Sequence, residues 1–369
     1  MAATPLATPD LALEISRYHR QTLLPQIGAA GQARLSASRV LLVGCGALGS
    51  VIAEQLVRAG VGHLRIVDRD VVETTNLQRQ VLFDESDARD GVPKAIAAQR
   101  RLCRINSEVA VDPVVADVHS GNIESLARVQ HVVTEVTTPN GNTFPDLILD
   151  GTDNVETRYL INEFGVKHHI PWVYGACVGT EGRVMPVLPG TTACLRCVFP
   201  QPPSGADLPT CDTAGVLGPV ASAVASLQTV EALKVLTGNA ADVRPQLWSA
   251  DLWTGRMRTV TVERQPDCPT CALRQFPFLD RPAGQTTSLC GRQSIQVRPA
   301  AADLRLDLPA AAARLKRVGA VELTPYLLRC RPAGHNDVTL TLFADGRMVV
   351  SGTTDHDNAR SLYARYVGT

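Results

Sequence analysis

The chain has 369 residues, with 36 basic and 36 acidic side chains, 45% hydrophobic residues and only 4% aromatic. At roughly 150 residues per domain the length suggests about two to three domains, and the ordinary apolar fraction excludes a disordered or collagen-like chain. A formal net charge of zero argues against binding nucleic acid or an anionic membrane through the overall field. No apolar run nears the roughly 18 residues of a spanning helix. Residues 1–10 lack the basic start and apolar stretch of a secretory signal, so a cytoplasmic location is expected.

In chain order, residues 39–43 are a short aliphatic run ending in glycine, which reads as a buried parallel strand. Residues 44–49 turn. Residues 48–59 read as a helix with Leu48, Val51, Ile52 and Leu56 on one face, stopped by Gly60 and Gly62. A second strand at 64–67 ends at Asp68 and completes a βαβ unit. The alternation continues with helix 94–105, strand 109–115, short helix 123–129, strand 146–149, helix 156–165 and strand 171–174. A proline-rich surface loop at 200–205 precedes a small-residue helix at 218–236, expected to be buried on most sides, and strands at 247–251 and 259–263.

Residues 275–290, with Pro277, Pro282 and Gly284, read as a linker. Beyond it come strand 294–297, helix 309–318, strand 326–330, a hairpin at 338–350 around Asp345-Gly346, and helix 357–367. The expected fold class is α/β: a Rossmann-like, doubly wound, mostly parallel sheet with a zinc-stapled C-terminal part over residues 1–275. A linker at 276–293 and a small C-terminal α/β domain at 294–369 follow.

Four of the ten cysteines stand in two C-x-x-C pairs, Cys194/Cys197 and Cys268/Cys271, separated by 70 residues. In a reducing compartment their thiolates suit a tetrahedral, structural zinc that staples distant segments, with a redox pair as the alternative. Four thiolates leave no open position for catalysis. Gly44-Cys45-Gly46-Ala47-Leu48-Gly49 matches G-x-G-x-x-G after a strand and at a helix start, with Asp68 following Gly44 by 24 positions. That context marks a nucleotide site, the acid facing a ribose; the plain alternative is a glycine turn that only packs helix on strand.

Asn76, Arg79, Gln80 and Lys94 follow closely. Fixed cations near a glycine turn suit a triphosphate better than a pyrophosphate diester; the alternative is that Arg79 and Lys94 are solvated surface charges. Asp153 follows a parallel strand, where a carboxylate can hold Mg²⁺. The alternative is that Asp153 or Asn154 caps the next helix. Cys211, in the loop Pro209-Thr210-Cys211-Asp212, is either a nucleophile or an unreactive thiol.

The chain resembles the ubiquitin-activating-enzyme-like superfamily, and within it the ThiF/MoeB-type sulfur-carrier adenylyltransferases of molybdopterin and thiamine biosynthesis. The resemblance rests on Arg17-Tyr18-His19-Arg20-Gln21, on the glycine loop, and on Val67-Asp68-Arg69-Asp70. It continues through Asn76-Leu77-Gln78-Arg79-Gln80, Lys94-Ala95, Asp150-Gly151-Thr152-Asp153-Asn154, both C-x-x-C pairs and Gly215-Val216-Leu217-Gly218-Pro219. These motifs run in order over residues 15–272, 258 of 369 positions.

The resemblance implies ATP- and Mg²⁺-dependent adenylation of the C-terminal glycine carboxylate of a ubiquitin-like sulfur carrier ending in diglycine, ahead of sulfur transfer. It implies that Gly44, Gly46 and Gly49 cradle the nucleotide and that Asp68 holds the ribose. Asp70, Gln80 and Asn154 are implied to belong to the same nucleotide site. Asn76, Arg79 and Lys94 would orient and neutralise the phosphates, and Asp153 would bind Mg²⁺. Arg20 matches an arginine that enters the partner subunit's site, which implies a homodimer. Cys211 matches a cysteine that some members use in a thioester or persulfide step. A sulfur donor such as a cysteine desulfurase or rhodanese is the implied partner.

Three departures stand out. Ala47 replaces the usual glycine, and residues 132–145 look like a surface insertion. The tail is the third: Cys330-Arg331-Pro332-Ala333-Gly334 is faintly similar to a rhodanese loop in too short a domain, whereas residues 340–369 are similar to part of one repeat of the TATA-binding-protein fold. The competing readings are a non-catalytic carrier-binding scaffold, a nicotinamide-dependent oxidoreductase, and adenylation of another substrate such as a tRNA, which the neutral charge disfavours.

Overall fold

The computed structural model describes residues 17–128, 143–202, 211–281, 286–288, 293–298, 304–334 and 337–368. The first sheet has eight strands: β1 (Arg39–Val43), β2 (His63–Asp68), β3 (Ala110–Val115), β4 (Leu147–Asp150), β5 (Trp172–Val178), β6 (Glu181–Val187), β7 (Gln246–Asp251) and β8 (Arg256–Thr261). Their order is β3-β2-β1-β4-β5-β6-β7-β8, parallel through β5 and antiparallel after it.

Alternation along β1 explains the layers. Val40 and Leu42 enter one core with the helices Ala47–Ala59, Lys94–Ile105 and Gly218–Leu236, while Leu41 and Val43 enter the other with the helix Val155–His168. A strand apolar on both faces must be covered on both, which is the doubly wound arrangement. The helix Ala47–Ala59 ends at Gly60 in the left-handed region, φ 87, as its glycine stop predicts. The helix Gly218–Leu236 is buried or half-buried except at Pro219 and Val230.

The structure adds β6, which sequence reading passed over. Its run Glu181-Gly182-Arg183-Val184-Met185-Pro186-Val187 has no clean alternation and contains a proline. Tertiary packing decides it: a Cβ at Gly182 would lie 2.4 Å from Val224, so the small-residue helix crosses close over this strand. Tightly packed crossings of this kind override strand propensity.

A second sheet follows: β9 (Thr286–Ser288), β10 (Ser294–Val297), β11 (Gly319–Leu323), β12 (Leu327–Pro332), β13 (Thr339–Phe343) and β14 (Met348–Ser351), in the order β11-β12-β13-β14-β10-β9. The helices Leu308–Leu315 and His356–Tyr366 cover one face. β11 is an edge strand with three of its five residues exposed, which is why no apolar run announced it. Within the stretch expected as linker, the helical turn Pro277–Asp280 buries Phe278, and β9 pairs with β10. Cys330 is fully buried on β12, so it does not sit in an exposed loop. The insertion at 132–145 falls mostly, and the proline-rich loop partly, outside the described residues. No helix among the described residues is long and apolar enough to cross a membrane.

Candidate active site

Strand order reverses between β1 and β4, and ligands of open α/β sheets bind at the carboxyl ends of strands at such a point. A cavity of about 530 Å³ opens there. Two glycines let its loops interlock. Gly44 has φ +89, and a Cβ on it would lie 2.7 Å from the Gly151 carbonyl. A Cβ on Gly49 would lie 2.0 Å from the Gly44 oxygen. Backbone therefore meets backbone where any side chain would intrude. Gly44 and Gly46 line the cavity and Gly49 stands behind them. Ala47 begins its helix and has no positive φ, so the turn tolerates it.

Asp68, at the end of β2, is buried and lines the cavity. Its two oxygens accept from the Cys45 N–H at 2.6 Å and the Asp70 N–H at 2.7 Å, tying the glycine loop to the loop after β2. Lys94 is also buried, with Nζ 3.2 Å from Asp70. Burial works against its charge, but Asp70 and Asp68 outweigh that and hold the ammonium above the usual lysine range. Lys94 is thus not a solvated surface cation.

Asn76 is buried and accepts from the Glu73 N–H at 3.0 Å. Gln80 is buried, lines the cavity, and leaves its Oε1 with no partner among the described residues. A buried, unsatisfied amide oxygen at a cavity wall is costly unless a ligand completes it. Arg79 lines the cavity too; its guanidinium donates to Thr75 O at 2.8 Å and has no carboxylate partner among the described residues.

The loop after β4 resolves the choice between Asp153 and Asn154. Asn154 is the cap, accepting from the Thr157 N–H at 2.9 Å. The Asp153 carboxylate takes no hydrogen bond among the described residues, is exposed, and lines the cavity within electrostatic reach of Arg69, Lys94 and Arg158.

Arg158 escaped sequence reading. It lies in the helix Val155–His168, pairs with the fully buried Asp150 at 3.0 Å, and donates to Thr152 O at 2.7 Å and Gly175 O at 3.1 Å. It also stacks on Tyr174. Arg158 therefore holds the loop that presents Asp153. An arginine eight positions after a strand-end acid was the available signal.

Burial pushes the Asp150 carboxyl up to about 6, against the pull of Arg158. With its folded pKa raised, Asp150 binds its proton more readily folded than unfolded. Its contribution to stability is therefore greatest at low pH and falls as pH rises from about 4 through about 6. Activity runs the other way, because protonation leaves Arg158 without its counter-charge. We expect an acid limb near pH 6 in the turnover profile, with no accompanying unfolding. Asp150→Asn should remove that limb and lower the plateau; an unchanged limb in that variant would refute the assignment.

Cys194, Cys197, Cys268 and Cys271 converge as expected, their sulfurs within 4.8 Å of one another. The separations 194–197, 194–268 and 197–271 are 3.9, 3.6 and 3.5 Å. A tetrahedron of Zn–S bonds of about 2.3 Å has edges of about 3.8 Å, so these residues fit zinc. The site is braced by Asn162, which accepts from the Leu195 N–H at 2.9 Å. Buried Glu163 pairs with Arg196 at 3.5 Å.

One expected residue stands apart from the cavity. Arg20 is exposed on the helical turn His19–Thr22 and is absent from the cavity walls. Cys211 opens the helical turn Cys211–Ala214 rather than lying in a loop. Residues 203–210 before it lie outside the described residues.

A family-level comparison matches residues 18–270 to the ThiF family. Over 357 residues the chain is 42% identical to the sulfur carrier protein ThiS adenylyltransferase of Bacillus subtilis, spanning 95% of this chain and 99% of that protein. It is 40% identical over 263 residues to a sulfur carrier protein adenylyltransferase of Thermus thermophilus, covering 70% and 91%. Among solved structures, E. coli MccB superposes with a TM-score of 0.59 at 22% identity over 71% of this chain and 74% of that one, a likeness of fold.

Proposed function

The chain belongs to the ThiF family, and from that membership we infer that it is an adenylyltransferase that uses ATP to activate the C-terminal carboxylate of a sulfur-carrier-type protein. The observation that carries this for the site itself is three groups around one cavity that are incompletely matched among the described residues: the Arg79 guanidinium has no carboxylate, the Asp153 carboxylate no hydrogen bond, and the Gln80 oxygen no donor. A structural role would have satisfied them internally. A nicotinamide dehydrogenase would need none of the three, and a dead scaffold would have no reason to keep them.

In the proposed reaction a carboxylate oxygen of the carrier attacks the α-phosphorus of ATP. The bond to the β-phosphate bridging oxygen breaks, and pyrophosphate leaves with that electron pair. Negative charge gathers on phosphate oxygens, where fixed cations act most strongly in a desolvated site. Arg79 and Lys94 supply those cations, Asn76 and Gln80 orient the phosphates, and the Asp68 carboxylate faces the ribose. Gly44 and Gly46 let the backbone approach the nucleotide. Asp153 would hold Mg²⁺, which supplies further charge neutralisation. The four cysteines would hold a structural Zn²⁺.

We assign the adenylation unit to residues 1–275 and regard 294–369 as an appended unit. Arg20, exposed and away from its own cavity, suits a homodimer in which it completes the partner's site. A ThiS-type carrier ending in diglycine is the substrate proposed, and Cys211 is assigned to a later sulfur step with a desulfurase or rhodanese donor.

ATP–pyrophosphate exchange with purified chain, Mg²⁺ and a ThiS-type carrier tests this. Exchange should appear with the intact carrier, vanish when its last glycine is deleted, and persist in Cys211→Ala. A molybdopterin-type carrier that supports exchange where the ThiS-type does not would replace the substrate assignment. ATP binding without exchange for any carrier would favour the scaffold.

A further inference from the structure

The second sheet is anchored to the wall of the cavity. Asp117, just after β3, lines the cavity and is nearly buried, with its side chain 10% exposed. One of its oxygens accepts from cavity-lining Arg69 at 2.9 Å. The other accepts from Gln296 of β10 at 2.7 Å and from Arg298 at 2.5 and 3.1 Å. Arg347, 3% exposed beside β14, donates to the Arg69 carbonyl at 2.5 Å and to Gln296 at 3.4 Å. It stacks on Phe343, which packs with Val71 across the same junction. A single carboxylate thus lies between one arginine of the cavity wall and one of the appended unit, with the loop between Asp68 and Asp70 gripped from behind.

We propose that the appended sheet is a working part of the nucleotide pocket, with Arg298, Gln296 and Arg347 as positioning residues that hold Asp117 and, through it, Arg69 at the cavity wall. This rests on reading the cavity as the ATP site. With Arg298 removed, Asp117 keeps one cation instead of two, and Arg69 loses the anchored anion that orients it. A buried charged network partly stripped of partners loses its fixed geometry. Because coupling is reciprocal, ATP must also tighten the docking of the sheet.

The test uses the full-length chain. Amide exchange of residues 294–297 and 348–351 should slow when ATP is added to the wild type. Arg298→Met should abolish that protection and raise the KM for ATP about fivefold or more, with kcat within about twofold. Arg298→Lys should recover part of the loss, and Arg360→Ala, on the far helix, should change neither. Asp117→Asn combined with Arg298→Met should be no worse than Asp117→Asn alone. Wild-type ATP protection and KM in Arg298→Met would overturn the proposal. If Arg298→Met fails to fold, wild-type exchange decides: ATP binding with no protection of these strands refutes the coupling. A wild type that binds no ATP overturns the reading of the cavity, and the coupling with it.

Discussion

Replacing Arg79 with alanine is expected to cut carrier-dependent ATP–pyrophosphate exchange about a hundredfold or more, while the unfolding temperature stays within about 2 °C of wild type. The two halves of that expectation have one cause. The Arg79 guanidinium lines the cavity and, among the described residues, is held by the Thr75 carbonyl alone, four residues earlier. No carboxylate among the described residues pairs with its charge, so its loss strands no buried partner there. In the transition state, however, the charge shed toward pyrophosphate meets one fewer fixed cation.

Lys94 offers no such clean experiment. Its ammonium offsets Asp70 and the buried Asp68, so Lys94→Ala would strand carboxylates and mix stability with catalysis. Arg79→Lys should recover only part of the rate, since a point charge cannot replace a planar fork. The measurement is exchange at saturating carrier together with thermal unfolding. An Arg79→Ala rate within tenfold of wild type would remove Arg79 from the phosphate clamp.

The largest stability effect is expected at the cysteine cluster. Cys268→Ser should reduce bound zinc from about one per chain to a small fraction, and lower the unfolding temperature by about 10–20 °C. The cluster joins the knuckle around Leu195–Val198 to the turn at Cys268 and Cys271, 74 residues on in each sulfur pairing across it. Around it lie Phe278, buried, and Glu163, which accepts from the Phe278 and Leu279 N–H groups at 2.7 and 3.1 Å.

Hydrogen bonds from Arg274 to the Val166 and Lys167 carbonyls and from the Leu195 N–H to Asn162 also hold these segments, and a bound zinc would add the direct link between the two cysteine pairs. Leu195 and Phe199 also line the nucleotide cavity, and exchange should therefore fall along with stability even though four thiolates leave zinc no open position. Metal analysis, thermal unfolding with and without a strong chelator, and exchange measured well below the unfolding transition separate these effects. Full metal content and an unchanged unfolding temperature in Cys268→Ser would exclude a structural zinc.

The sequence by itself determined the features governed by short-range physics. The βαβ unit follows from a buried aliphatic strand, a glycine turn and a one-faced helix; Lys94–Ile105, Gly218–Leu236 and Ser294–Val297 lie where period and turn residues put them. The glycine loop, Asp68 and Asp153 could be grouped because the carboxyl ends of successive parallel strands fall on one edge of the sheet, and Arg79 and Lys94 because fixed cations near a glycine turn suit a triphosphate; Asp70, Gln80 and Asn154 were tied to the site by the family resemblance. The two C-x-x-C pairs could be matched because thiolates in such pairs have few other uses.

Only the tertiary structure decided questions of relative placement. Asn154, not Asp153, became the helix cap, because the backbone exit from β4 aims one side chain at the Thr157 N–H and its neighbour at the cavity. β6 formed because a small-residue helix crosses it, and Arg158 entered the site because Asp150 is buried opposite it. Arg298 meets Asp117 across 181 positions. Local patterns encode which backbone a segment prefers, but a charged pair between distant segments exists only once packing has brought two surfaces together, and no periodicity or spacing in the chain records that meeting.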